Sequence, residues 1–166
     1  MILSDHDIKN RLGQRYDDEK EHYIISPFNM ARLTPNGYDL SLDVSELSKD
    51  HIEQRVSKDN VKYNAYILKA NELLVFKGKE TLDVPNGVVG IMFLRSRYAR
   101  QGVTLNVGVI DAGFNGKIIA SMKNNSKLDI PINLDEGVVQ ILFMGASHSD
   151  NPYGTQSKDH FQKQGL

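Results

Sequence analysis

The sequence predicts an all-β domain, a sandwich or jelly roll, entered through one short helix. Two observations predict the strands: short apolar or alternating segments recur along the chain, and turn-forming residues punctuate them. A third predicts the helix. Ser4 followed three residues later by Asp7 reads as a capping box, and Leu3 is spaced to staple onto Ile8. The helix is therefore expected over residues 5–12, stopping near Gly13. The charged stretch 15–22 is expected to be a solvated loop.

From Tyr23 onward the texture changes. Tyr38-Asp39-Leu40-Ser41-Leu42-Asp43-Val44 alternates apolar and polar, the pattern of a half-buried strand. Further strands are expected at 65–69, 73–77, 88–94, 103–107, 117–122 and 138–144. Lys77-Gly78-Lys79, Pro85-Asn86-Gly87, Asn115-Gly116, Asn124-Asn125-Ser126 and Glu136-Gly137 supply the turns. No internal repeat or low-complexity segment stands out. The polar tail after Ser147 has no core pattern, and about 148–166 is expected to be mobile until a ligand is bound.

The chain has 166 residues, the size of one domain, with 40% hydrophobic and 25% charged residues. A formal net charge of -1 gives no global field toward nucleic acid or membrane, so a bound anion must be held by a local cluster. The absence of cysteine excludes disulfides and thiolate metal sites. The N-terminus shows no basic region followed by an apolar stretch, and no apolar run is long enough for a membrane helix. A cytoplasmic location is the expectation.

Two segments carry candidate chemistry. In Gly108-Val109-Ile110-Asp111-Ala112-Gly113-Phe114-Asn115-Gly116 an acid follows an apolar pair, with glycines on both sides. Glycine lets a ligand approach the main chain closely. From spacing alone two readings stand: Asp111 as a site carboxylate, or Asp111 as the cap of a hairpin turn. In Leu94-Arg95-Ser96-Arg97-Tyr98-Ala99-Arg100, guanidinium groups flank a hydroxyl at the end of an apolar strand. Their planar forks suit phosphate oxygens, and the competing reading is a solvated charge run.

Taken in order, these segments resemble the dUTPase and dCTP deaminase superfamily. Gly108–Gly116 resembles the dUTPase motif that carries a catalytic aspartate on a hairpin, with an aromatic residue three positions on. Arg95-Ser96-Arg97-Tyr98-Ala99-Arg100 is similar to the Arg-Ser-Ser-Leu-Ala-Arg segment of dCTP deaminases. Asn36-Gly37-Tyr38-Asp39-Leu40 resembles an early element of the family, and Val138-Val139-Gln140-Ile141-Leu142 a late strand bearing glutamine. The opening Met1-Ile2-Leu3-Ser4-Asp5 and the tail residues Tyr153-Gly154, Lys158, Phe161-Gln162 and Gln164-Gly165 resemble the deaminase branch.

The resemblance implies a distorted jelly-roll or β-clip dUTPase-like fold over residues 1–166, assembled as a homotrimer with shared active sites. It also separates two reactions. The deaminases use a glutamate five residues beyond the glycine that closes the hairpin, and that position here is Ser121. A serine at its ordinary pKa cannot shuttle protons as a carboxylate does. Gly108-Val109 before the Ile-Asp step is also the dUTPase spelling.

The expected activity is therefore hydrolysis of dUTP to dUMP and pyrophosphate, in nucleotide-pool sanitation and dUMP supply. dCTP deaminase, bifunctional deaminase/dUTPase and non-catalytic nucleotide binder are the alternatives. The resemblance implies Asp111 as general base toward a water at the α-phosphorus, with Phe114 under the deoxyribose. It implies Arg95, Ser96 and Arg100 on the triphosphate, helped by Mg²⁺ that the phosphates hold. Uracil would be read by main chain around residues 105–109, Val107 and Gly108 among them, with Gln140 in support.

The tail residues Lys158, Phe161 and Gln162 would close over the nucleotide. Arg97 departs from the family, replacing a small residue, and is expected to reshape the phosphate end. Asp39 stands between a backbone-bonded strand aspartate and a site residue. The histidines have no metal-ligand spacing and are expected on the surface; His160 alone has a second reading, against phosphate. Met92, Met122 and Met144 are expected as core fillers.

Overall fold

The computed structural model describes residues 1–11 and 24–154. Helix α1 (Asp5–Arg11) is followed by β1 (Ile25–Ser26), β2 (Leu33–Thr34), β3 (Gly37–Leu40), β4 (Ile52–Val56), β5 (Lys62–Leu68), β6 (Leu73–Asp83) and β7 (Val88–Leu94). The four-residue helix α2 (Ser96–Ala99) leads to β8 (Val103–Asn106), β9 (Asn115–Asn124), β10 (Ile130–Asn133) and β11 (Val139–Gly145). Three antiparallel sheets result, with orders β1-β6-β9-β8, β10-β5-β4 and β2-β3-β11-β7. The all-β expectation holds.

The capping box forms as the sequence predicts. The Asp7 amide donates to Ser4 Oγ at 3.2 Å, and the Ser4 amide donates back to the Asp7 carboxylate at 2.9 Å. Leu3 and Ile8 are both buried. The Leu3 amide bonds the Phe143 carbonyl at 2.8 Å, seating the helix on β11. Leu12, Gly13 and the 15–22 loop lie outside the described residues.

The turns expected at Lys77-Gly78-Lys79 and Asn115-Gly116 lie instead inside β6 and β9, which pair with a register shift between Lys77 and Thr81, and the strand expected over 38–44 fails as well. The alternating run 38–44 is continuous in sequence, but β3 ends at Leu40. The chain then crosses to another sheet, where Leu42 bridges Gly78 of β6. The crossover is held by the buried carboxylate of Glu80, which accepts the Ser41 amide at 2.9 Å and the Ser41 hydroxyl at 2.8 Å. Asp43 then caps a 3-10 turn, Val44–Glu46. Residues 37–42 are all buried, Asp39 and Ser41 included, so the alternation in sequence does not mark a half-buried strand.

The strands β4 and β10 carry no sequence signal. β4 lies on a sheet edge and is mostly exposed, so nothing selects an apolar alternation there. β10 contains Pro131, which an edge strand tolerates because its outer side needs no ladder donor.

One apolar cluster fills the space between the sheets, with Tyr38, Phe76, Leu82, Met122, Ile132, Ile141 and Phe143 at its centre. Met92 and Met122 belong to it, whereas Met144 is only half-buried, on the opposite face of β11. His6 and His148 are exposed; His51 departs from expectation and packs half-buried on Tyr66, ring centroids 5.2 Å apart. His22 and His160 lie outside the described residues. Among the described residues no helix is long and apolar enough to cross a membrane.

Tyr98 anchors α2 to this core. Its ring is fully buried, and its hydroxyl accepts the buried amide of Asn133 in β10 at 3.0 Å. Tyr98→Phe keeps the ring and orphans that amide. Urea unfolding is expected to show a loss of about 1–3 kcal/mol.

Candidate active site

Strands β8 and β9 form an antiparallel pair from Val103↔Asn124 to Asn106↔Ser121, and residues 107–114 make the loop between them. The apolar pair before Asp111 explains how the loop is held. Ile110 is buried and exchanges two backbone hydrogen bonds with Gly90 of β7, at 2.8 and 2.9 Å. A side chain at Gly90 would meet Ile141 Cδ1 at 2.9 Å and Ile110 Cβ at 3.1 Å, so glycine permits the approach. With Ile110 turned inward, the next side chain faces outward. Asp111 is exposed, and its carboxylate has no protein partner among the described residues.

A turn follows at once. The Phe114 amide donates to the Asp111 carbonyl at 3.1 Å, and Gly113 takes φ +87°, a conformation glycine adopts without strain. The Gly113 amide and the Phe114 carbonyl both bond Val84, fixing the turn to the end of β6. Phe114 packs partly against the core.

The loop opens on a cavity of about 230 Å³ lined by Val107, Gly108, Asp111, Phe114, Lys117 and Tyr153, together with Met92, Val109, Ile110, Ile118 and Ile119. A second cavity, about 340 Å³, lies on the other side of Asp111 and Tyr153, with Ser147, Ser149 and Asn151 in its wall. Of the expected site residues, Asp111, Val107, Gly108 and Phe114 are thus brought together. Gly108 leaves open space: a Cβ at this position would have no atom within 4 Å.

The described start of the tail is hydrogen-bonded to the body of the chain. Asn86 exchanges hydrogen bonds with the Ser149 backbone, both at 2.9 Å, and the Tyr153 amide bonds the Ala112 carbonyl at 2.7 Å. Tyr153 sets its ring 5.5 Å from that of Phe114. Ser149 is thus held by the β6–β7 connection and Tyr153 by the Asp111 loop. Lys158, Phe161 and Gln162 lie outside the described residues.

Arg95, Ser96 and Arg100 are not in the wall of either cavity. They follow the far end of β7, with Arg95 about 17 Å beyond Gly90 at the rise of a strand. Arg95 pairs with Asp39 at 2.9 Å, so among the described residues that aspartate's side chain is held by a guanidinium and not by neighbouring backbone. Burial pushes the Asp39 carboxyl above its usual range, and Arg95 and Arg32 partly offset this.

Gln140 stands in register with Asp39 and Phe93 and donates to Thr34 Oγ1 at 2.8 Å. It therefore sits with Arg95 and Asp39, away from Asp111. Ser96 and Arg100 are exposed. Arg97, which breaks the family pattern, is ion-paired with Glu136 and lies 5.0 Å over the Tyr98 ring. Its charge is engaged locally.

Sequence reasoning missed Lys117 and gave Tyr153 no role. Lys117 was hidden because it lies one residue past the Gly108–Gly116 segment, and its partner Asp43 is far away in sequence. Its ammonium donates to Asp43 Oδ2 at 2.9 Å. That bond, with those from Ser45, holds the Asp43 carboxyl down at about 2. Among the described residues no group of three or more His, Cys, Asp or Glu forms a metal cluster.

A scan against family models matches residues 2–146 to the family described as dCTP deaminase-like, and the chain belongs to that family. It lies within the dUTPase and dCTP deaminase superfamily. Over 95% of this chain and 89% of the relative, it is 29% identical to a protein of Corynebacterium kroppenstedtii named dCTP deaminase, dUMP-forming. It is 28% identical to a protein of Sulfolobus islandicus rod-shaped virus 1 named "Probable deoxyuridine 5'-triphosphate nucleotidohydrolase", over 82% of this chain and 78% of that one. Among solved structures, the fold matches the 2'-deoxycytidine 5'-triphosphate deaminase from Agrobacterium tumefaciens with a TM-score of 0.56. That match has 17% identity and covers 86% of this chain and 46% of that one.

The Asp43 carboxyl is lowered in the folded chain from 3.8 to about 2, so its contribution to stability is complete above the unfolded value and is lost as pH falls through the folded one. Asp43→Asn removes that titration. Acid unfolding followed between about pH 4 and about pH 2 should show wild type losing stability relative to the variant across that window.

Proposed function

We propose that this protein hydrolyses dUTP to dUMP and pyrophosphate. The observation that carries the reading is Asp111, an exposed carboxylate without a protein partner among the described residues, in a cavity whose described lining has no second carboxylate. Such a group is free to orient a water and take its proton. The Phe114 ring beside it offers a face for the deoxyribose. The loop from Val107 to Val109 brings backbone donors and acceptors to the same cavity, suited to reading a base edge.

Ser121 supports hydrolysis over deamination. It lies in β9 opposite Asn106, whose side-chain amide is 3.5 Å from its hydroxyl, and β9 carries no carboxylate. The relative named as a deoxyuridine triphosphate nucleotidohydrolase supports the same reading.

The separation of Arg95, Ser96 and Arg100 from Asp111 supports a shared site. In this reading the arginine segment of a neighbouring copy meets the Asp111 cavity in a homotrimer, and Gln140 braces that segment from β11. Lys158, Phe161 and Gln162 complete the closure over the nucleotide. The donor set at the cavity, one free carboxylate, fits a magnesium ion that keeps most of its shell for phosphate and water. When bound, Mg²⁺ would neutralise triphosphate charge, leaving proton abstraction to Asp111.

A dUMP-forming dCTP deaminase is the second reading, favoured by the family match and the Corynebacterium relative. Purified protein incubated separately with dCTP and dUTP distinguishes them. Pyrophosphate and dUMP are expected from dUTP alone, and any deaminated product from dCTP overturns the assignment of Ser121. Asp111→Asn is expected to lower kcat by roughly 10²–10⁴-fold while dUTP affinity is retained. Undiminished turnover would leave Asp111 without a catalytic part.

A further inference from the structure

We propose that Lys117 is a substrate-contacting cation of the Asp111 cavity, donating to an anionic oxygen of the phosphate next to the sugar, with Asp43 as its positioning residue. The inference rests on the nucleotide reading above and adds a residue to it. Of the residues lining the cavity, two carry charge, Asp111 and Lys117, and they are opposite in sign. A phosphate brought beside an ionised carboxylate meets like-charge repulsion that a nearby cation offsets. Arg95 and Arg100 of the same chain do not line this cavity, so Lys117 is its cation among the described residues.

The placement follows from β9. Lys117 stands three residues beyond Phe114, and strand alternation sets it on the same face as Ile119, which also lines the cavity. The ring of Phe114 marks the sugar end in the nucleotide reading, and Lys117 lines the same cavity, so its cation is assigned to the first phosphate rather than the base. A lysine ammonium has three donors, and the bond to Asp43 uses one. The others remain for a ligand, and a compact ammonium suits phosphate as a point charge.

Asp43 is built to hold it. Oδ1 accepts the Ser45 amide at 3.2 Å and the Ser45 hydroxyl at 2.7 Å, while Oδ2 is left to Lys117. Its own amide donates to the Lys77 carbonyl at 2.8 Å, tying the anchor to β6. The ion pair therefore fixes a flexible side chain at one wall of the cavity.

The test uses the full chain and two probes that differ by one phosphate, dUMP and deoxyuridine, titrated by calorimetry. In wild type dUMP should bind more tightly than deoxyuridine. Lys117→Met should cut that advantage by roughly 10-fold with deoxyuridine affinity unchanged. Lys117→Gln, which keeps a polar tip, serves as a second neutral variant, and Lys117→Arg should restore most of the advantage. Asp43→Asn should reduce it by roughly 3-fold, through a less ordered ammonium.

An unchanged dUMP-to-deoxyuridine ratio in both neutral variants overturns the proposal. So does an equal loss for both ligands, which is what a merely structural ion pair would give. Wild type that binds neither ligand removes the nucleotide reading itself, and Lys117's part in it, and is distinguishable from either result.

Discussion

Two backbone hydrogen bonds between Gly90 and Ile110 set the position of the loop that carries Asp111. They require the chains to approach more closely than a side chain on residue 90 would allow, and they require Ile110 to be buried. Once both conditions are met, the orientation of Asp111 is a matter of backbone geometry: an inward residue is followed by an outward one. The turn at Gly113 then returns the chain to β9, and Val84 holds its far side. A flexible connection between β8 and β9 is thereby pinned to β6 and β7, and a surface carboxylate gains a fixed setting.

Strand β7 has a second consequence. Its middle holds the Asp111 loop and its end leads into the arginine-bearing helix, so one rigid strand spaces two chemically distinct centres. One centre is a carboxylate with an aromatic neighbour and an ammonium. The other is a guanidinium on a buried aspartate, with Gln140 and Thr34 beside it. A strand resists compression, so the two cannot be brought together within one chain by small adjustments. In the function proposed above, the arginine segment and the Asp111 cavity are united by the packing of copies.

Much of the fold was legible because burial imposes its period on sequence. β7 was expected over 88–94 and has those bounds, since its inward positions Val88, Gly90 and Met92 face one core. The capping box at Ser4 was legible because it is local chemistry. What failed to show was non-local. Nothing in the run 38–44 announces that the chain changes sheets at Ser41, because the cause is Glu80, nearly forty positions away. β4 was hidden by its exposure and β10 by a proline that only an edge position explains. At the site, the glycines and apolar pair singled out the Asp111 loop while leaving a turn cap as the other reading, and Phe114 was picked out by the family resemblance. Lys117 was not, because its significance comes from Asp43 across the sheet. Tyr153 was visible only as part of a tail.

Tyr153 stands in the wall shared by two cavities, against Phe114 and bonded to the Asp111 loop. The chain contains no tryptophan. An indole introduced at this one position would be the sole long-wavelength emitter in the molecule, and its spectrum would report on solvent access to both chambers. The protein's own composition thus leaves a dark optical background at the place where occupancy matters.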